Sequence, residues 1–276
     1  MADTVLERGD SKLQHGNENN RVYIMRVTPN DAEEIIAEAD KLCRDNNYTK
    51  CFAKVPEAAL LAFLSAGYSI EASVPRFISG GATGFFLGKY YDIDRSDPPL
   101  EELVTLKTIL GKKKSIEPPC LNAPYHLRKL THQDANALAN LYAQVFPAYP
   151  FPIQDPEYIH QTMDEDVHYI GVFEGASLIG AGSAEVDTLY RNAEMTDLAV
   201  LEEKRGRSLT LTLLQALEEE MREMQIPTLF TIARLSSAGI NVAFYRMGYR
   251  YSGTLKNNTR ISTGIESMNI WYKHIL

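Results

Sequence analysis

The stretch Ala193–Met221, AEMTDLAVLEEKRGRSLTLTLLQALEEEM, decides how this chain is read. Met195–Leu201 suits a short strand, and Leu209, Leu213, Leu214, Leu217 and Met221 recur at the spacing of one helix face. Gly206, Arg207 and Ser208 therefore stand where a helix begins. The first turn of a helix presents backbone N–H groups without intrahelical partners and carries the positive end of the helix dipole, so a phosphate is stabilised there. Lys204, Arg205 and Arg207 add full positive charges. Strand, basic turn and helix together predict a local anion site over Arg205, Gly206, Arg207, Ser208, Leu209 and Thr210; a basic helix start with no ligand is the plainer alternative.

Composition narrows the class. The 276 residues, 45% of them hydrophobic, have room for two modest domains with a sizeable core. A formal net charge of −8 argues against general binding of nucleic acid or anionic membrane, both of which select basic surfaces. Cys43, Cys51 and Cys120 show no metal-ligand spacing and no even framework, which suits a reducing compartment and predicts no metal. No apolar run reaches membrane-spanning length and the polar N-terminus lacks the apolar stretch of a signal peptide, so a cytoplasmic protein is expected.

Around the central stretch the chain divides into four parts. Residues 1–20 are polar and predict a mobile tail. Residues 21–95 read as a small α/β lobe: strands at Arg21–Val27 and Thr49–Lys54, helices from Asn30 or Asp31 to Arg44 and from Pro56 to Ala66, then two further strands. Residues 96–124 form a linker with a short helix at Leu100–Leu110 and a Lys112–Lys114 run that reads as a solvated face. Residues 125–276 form the second domain. Its helix after Thr131 is followed by VFPAYPFPIQDPEYI, whose prolines forbid one continuous helix, and by a hairpin of Val167–Glu174 and Ser177–Val186. Alternating helices and strands with hairpins at both ends give an α/β fold with a mixed sheet. FLSAGY at Phe63–Tyr68 and FYRMGY at Phe244–Tyr249 stand at corresponding places and suggest a degenerate repeat.

The basic turn resembles the pyrophosphate loop of the GCN5-related N-acetyltransferase (GNAT) superfamily, in which Gln or Arg, two residues, Gly, one residue, then Gly or Ala follow the fourth strand. Arg205 fits the first position, whereas Ser208 and Thr210 stand where the small residues usually do. The lobe of residues 21–95 resembles a degenerate half of the same fold. Over the whole chain, RVYIMRV, KCFAKVPEAALLAFLSAGYSIEASVPRF, VFPAYPFPI, AEMTDLAV and MNIWYKHIL are similar to the beta-lysine N-acetyltransferase family.

The resemblance implies acetyl-CoA as cosubstrate and acetylation of the terminal amine of beta-lysine, giving N-epsilon-acetyl-beta-lysine, a compatible solute. It also implies a functional pairing with a lysine 2,3-aminomutase. Backbone of Leu198, Ala199 and Val200 would align the pantetheine and polarise the thioester. Asn241 would contact pantetheine, and Tyr245, four residues on and hence on the same helix face, would protonate the leaving thiolate. An ammonium must lose a proton before it attacks, and Glu194 stands where several superfamily members carry a base. Asp197 and Glu185 are further acids able to bind a substrate ammonium; the odd spacing of Glu194 and Asp197 points them to opposite sheet faces. Tyr149, Phe151 and Tyr158 could pack around an alkyl chain or cation, or plug a hydrophobic core. The alternatives are acetylation of another small amine, or a CoA-binding regulatory protein without catalysis, and the N-terminal lobe either covers the acceptor pocket or forms a homodimer contact.

Overall fold

The computed structural model describes residues 4–111, 119–147, 149, 151–261 and 264–276; the Lys112–Lys114 run lies outside them. The chain forms two compact units that do not follow chain order. One comprises residues up to Ile109 with Arg234–Ala238 and Tyr251–Ile270; the other comprises Leu110–Ala233, Gly239–Arg250 and Trp271–Leu276. The late segment groups with the first unit for visible reasons. Lys256 N donates to Glu71 Oε1 (3.0 Å) and Ser252 Oγ donates to the Ser73 carbonyl (2.5 Å). Gly253 packs so closely that a Cβ there would lie 2.0 Å from the Glu71 carbonyl oxygen. Lys50, fully buried, donates to Glu71 Oε2 (2.8 Å) and to the Lys256 carbonyl (2.7 Å). Burial pulls its ammonium down to about 8, against the attraction of Glu71.

The first unit contains β1 (Thr4–Arg8), β2 (Ser11–Gly16), β3 (Arg21–Arg26), α1 (Ala32–Asn46), β4 (Lys50–Pro56), α2 (Leu60–Ser65), β5 (Ser69–Ile78) and β6 (Ala82–Tyr90). Its sheet runs β1-β2-β3-β4-β6-β5, with β3 and β4 parallel. The first strands correct the expected tail. Leu13 is fully buried in the core with Val22, Ile24 and Ile35, and buried Ser11 donates to Asp31 (2.9 Å), so few apolar residues suffice where every second side chain faces inward. α3 (Leu100–Leu110) follows as the expected short helix, with Leu106 and Ile109 buried.

The rest of the chain gives β7 (Tyr125–Lys129), α4 (Ala135–Val145), α5 (Pro156–Asp164), β8 (Val167–Glu174), β9 (Ser177–Asp187), β10 (Asn192–Val200), α6 (Leu209–Glu223), β11 (Thr228–Arg234), α7 (Ala238–Arg246), β12 (Arg250–Ile261) and β13 (Gly264–His274). The sheet order is β12-β13-β11-β10-β9-β8-β7, parallel between β10 and β11, which is the mixed α/β sheet expected. α6 buries Leu213, Leu214, Leu217 and Met221 completely, each contributing about 1.5–3 kcal/mol. It packs across β8, β9 and β10, while α4 covers the other face of β9 and β10. Gly182 permits that contact, since a Cβ there would lie 2.6 Å from Leu198 Cδ2 and 3.2 Å from Leu217 Cδ1.

The repeat is visible in three dimensions and is larger than half a fold. The order β1-β2-β3-β4-β6-β5 reproduces β8-β9-β10-β11-β13-β12 strand for strand. Gly67 and Gly248 end α2 and α7 at φ +88° and +87°, a conformation in which Gly has no Cβ penalty. Phe63 and Tyr68 pack edge-on at 5.0 Å between centroids, Phe244 and Tyr249 at 4.9 Å. Lys89 Nζ lies 5.5 Å from the Tyr68 ring and Lys273 Nζ 5.6 Å from that of Tyr249.

Candidate active site

The parallel ladder of β10 and β11 joins Asn192 to Thr228, Ala193 to Leu229 and Glu194 to Phe230, and stops there, although β10 continues to Val200. A wedge opens between the strands, and main-chain groups from Met195 to Val200 have no β11 partner. Leu198, Ala199 and Val200 lie in this segment. On its other edge β10 stays paired with β9, with a bulge between Thr196 and Ala199.

The bulge overturns the expectation that Glu194 and Asp197 face opposite sides. An extra residue resets the strand's alternation, and Asp197 adopts φ +50°, a region costly for a residue with a Cβ. Its Oδ1 accepts from the Tyr149 hydroxyl (2.5 Å) and its Oδ2 from Ser183 Oγ (2.9 Å). Ser183 pairs with Thr196, and Glu185 with Glu194, across the two strands. Asp197, Glu194 and Glu185 thus share the face covered by α4, where Ala181 and Ala199 pack with Leu138, Tyr142 and Ile159. Directly opposed residues bring the Cβ atoms of Glu185 and Glu194 to about 5 Å. Glu185 is exposed and Glu194 half-buried. Burial raises the Asp197 carboxyl above its ordinary range, while the Tyr149 and Ser183 hydroxyls pull it back.

Tyr149 comes from the proline-rich connection after α4, half-buried, its ring 5.0 Å from that of Phe146. Phe151, also expected beside the acceptor, is 40% exposed. Tyr158 feels both Glu185 and Asp197, and burial raises its phenol above the ordinary value. Acids and phenols together make a surface suited to an ammonium and an alkyl chain.

At the far end of β10 a concavity of about 220 Å³ is lined by Val200, Arg205, Gly206, Ser208, Leu209 and Thr210 on one side and by Gly239, Val242 and Arg246 of α7 on the other. Gly206 has φ +79° and Ser208 φ +60°. The left-handed backbone at Ser208 explains why a small residue is usual there. Ser208→Gly should raise stability by about 0.5–1 kcal/mol, the strain relieved exceeding the entropy of a freer unfolded chain. The Ser208 side chain makes no capping bond, so denaturant melting should show no offsetting loss.

The cations are partly engaged. Lys204 Nζ bonds Glu174 Oε2 (2.5 Å), Arg205 Nε donates to the Val200 carbonyl (3.3 Å), and the Arg207 guanidinium bonds the Tyr125 hydroxyl. Arg246 adds a charge that sequence reasoning missed, because a basic residue in a helix's last turn reads as a partner of the dipole. Arg246→Ala should raise the KM for acetyl-CoA about tenfold with kcat unchanged, as the loss of one charged contact predicts in steady-state kinetics.

The two α7 residues differ in placement. Asn241 is fully buried and its Oδ1 accepts from Trp271 Nε1 (2.9 Å), which anchors α7 to the chain's one tryptophan. It does not line the concavity, unlike Val242 one residue on. Tyr245 is half-buried, its ring 6.2 Å from Trp271 and its hydroxyl in a long contact (3.4 Å) with the Leu110 carbonyl.

Helix start, concavity and opened strand edge fit a phosphate-bearing, amide-rich cosubstrate laid along β10, with acids beside its inner end. The fold and site define an N-acetyltransferase that uses acetyl-CoA, and residues 135–249 match the Acetyltransferase (GNAT) family. The chain is 34% identical, over 98% of its own length and 98% of the relative's, to the beta-lysine N(6)-acetyltransferase of Methanococcus maripaludis. It is 41% identical to the beta-lysine N(6)-acetyltransferase of Methanosarcina mazei over 58% of this chain and 59% of that one. It is also 44% identical to the N-acetyltransferase YodP of Bacillus subtilis over 55% of each. The chain belongs to the beta-lysine N(6)-acetyltransferase family. Among the described residues no group of three or more His, Cys, Asp or Glu is placed to hold a metal, and no helix is long and apolar enough to cross a membrane.

Proposed function

We propose that this enzyme transfers the acetyl group of acetyl-CoA to the terminal amine of beta-lysine, giving N-epsilon-acetyl-beta-lysine as a compatible solute. The observation that carries the reading is the acidic face of β9 and β10, where a strained bulge turns Asp197 to the side of Glu185 and Glu194. A diamino acid brings two ammonium groups, and this face offers separate carboxylates for them.

Acetyl-CoA supplies the activated acyl group. Arg205–Thr210 and Arg246 hold its phosphates, and main chain at Leu198–Val200 aligns pantetheine and polarises the carbonyl. Glu194 removes the proton from the terminal ammonium, Asp197 and Glu185 hold the charged acceptor, and Tyr149 and Phe151 flank its chain. Asn241 acts through the placement of α7, from which Tyr245 protonates the departing thiolate. A cytoplasmic homodimer working beside a lysine 2,3-aminomutase belongs to the same proposal.

The test is thiol release from acetyl-CoA with beta-lysine, lysine and spermidine, each at one fixed concentration, with mass spectrometry of the products. Turnover with beta-lysine, acetylated at the terminal nitrogen, is expected. Turnover with spermidine alone would move the acceptor to the polyamines. CoA binding without turnover of any amine would favour a regulatory protein.

A further inference from the structure

Tyr142, on α4, is fully buried and its hydroxyl has no hydrogen-bond partner among the described residues. Neighbouring hydroxyls are engaged: Tyr149 donates to Asp197, Ser183 donates to Asp197, and Tyr169 bonds Thr162 Oγ1 (2.9 Å). Tyr142 belongs to the buried cluster that also holds Ile159, Tyr169, Ala181 and Ala199, and the last two pair across β9 and β10 beside the bulge that carries Asp197. Burial keeps the phenol protonated, and of the charges around it Asp197 acts most strongly and Glu185 less so.

A buried hydroxyl without a partner carries a desolvation penalty that phenylalanine would avoid, so its presence calls for a partner beyond the described residues, and a bound acceptor would supply one. The surroundings select the partner's chemistry. The lone pairs of a neutral phenol beside two carboxylates suit a cation bearing N–H donors. The terminal ammonium is assigned to Glu194 at the mouth of the wedge, which leaves the second ammonium of a diamine. We propose that the Tyr142 hydroxyl and the Asp197 carboxylate together hold the non-reacting ammonium of the acceptor, making Tyr142 a specificity-determining residue. This rests on the diamine reading of the acceptor given above. Asp197 Oδ1 then exchanges the Tyr149 phenol for an ammonium donor, and Tyr142 gains the partner it lacks.

The test compares Tyr142→Phe, Asp197→Asn and the unaltered enzyme on beta-lysine and on 6-aminohexanoate, which keeps the chain, carboxylate and terminal amine but lacks the second amine. Tyr142→Phe should raise the Tm by about 2 °C or more, since an unpartnered buried hydroxyl is removed. It should lower the preference for beta-lysine over 6-aminohexanoate about tenfold, as loss of one hydrogen bond to a charged group predicts, leaving kcat/KM for 6-aminohexanoate unchanged. Asp197→Asn should lower the same preference at least as much, and gives the answer if the first variant does not fold. Unchanged preference, or equal loss on both compounds, would overturn the assignment. If the unaltered enzyme acetylates neither compound, the diamino-acid acceptor fails first, and the comparison passes to spermidine and propylamine. Preference undiminished by either substitution there also overturns the proposal, as does an enzyme that discriminates no diamine from its monoamine.

Discussion

Replacing Tyr245 by phenylalanine should lower kcat about a hundredfold or more, the usual contribution of a positioned general acid, while the KM for acetyl-CoA stays within about twofold. Phenylalanine keeps the ring that packs 6.2 Å from Trp271 and removes only the hydroxyl. That hydroxyl makes a long contact, 3.4 Å to the Leu110 carbonyl, weaker than an ordinary hydrogen bond. The effect should therefore fall on the step in which thiolate departs. A transition-state interaction removed alone lowers kcat and kcat/KM together without weakening ground-state binding. Equal losses of turnover and CoA affinity would make Tyr245 a packing residue of α7 instead.

The second large effect is expected at Glu194. Glu194→Gln keeps size and removes the proton acceptor, so kcat/KM for the amine near pH 7 should fall about a hundredfold or more. The loss should shrink as pH rises, because an alkyl ammonium with a pKa near about 10.4 supplies about ten times more free amine per pH unit. The sign is fixed by the substrate: the variant depends on amine already deprotonated, so its profile moves to higher pH. Glu194 closes the β10–β11 ladder and pairs with Glu185 on β9, beside the wedge through which we propose the acceptor enters. An unchanged profile would give the role to another group or to water.

Much of this architecture was legible because periodicity and end signals agreed. Leu209, Leu213, Leu217 and Met221 marked α6, and the Gly175–Ala176 turn fixed the β8–β9 hairpin. Two features escaped, the first because alternation arguments assume a constant period. The bulge at Asp197 adds a residue and turns a carboxylate to the other face, and its only trace in sequence is the adjacent polar pair Thr196 and Asp197. The strands of residues 4–16 escaped because their buried side chains include polar Ser11 beside Leu13, so composition alone reads as a tail. At the site, Ser208 stands out in the sequence as a departure from the small-residue loop, and its positive φ shows what the departure costs. Asn241 has the expected helix position, but its carbonyl is turned to the Trp271 indole, a contact no local pattern predicts.

We propose that the acidic face of β9 and β10 selects beta-lysine. The most direct test presents the enzyme with acetyl-CoA and equimolar beta-lysine, lysine and spermidine in one vessel, and reads the acetylated products and the position of the new amide by mass spectrometry. Under competition the product ratio reports the ratio of kcat/KM values, free of any choice of concentration. Beta-lysine acetylated at its terminal nitrogen should dominate. Predominance of another amine, or acetylation of beta-lysine at its inner nitrogen, would contradict it.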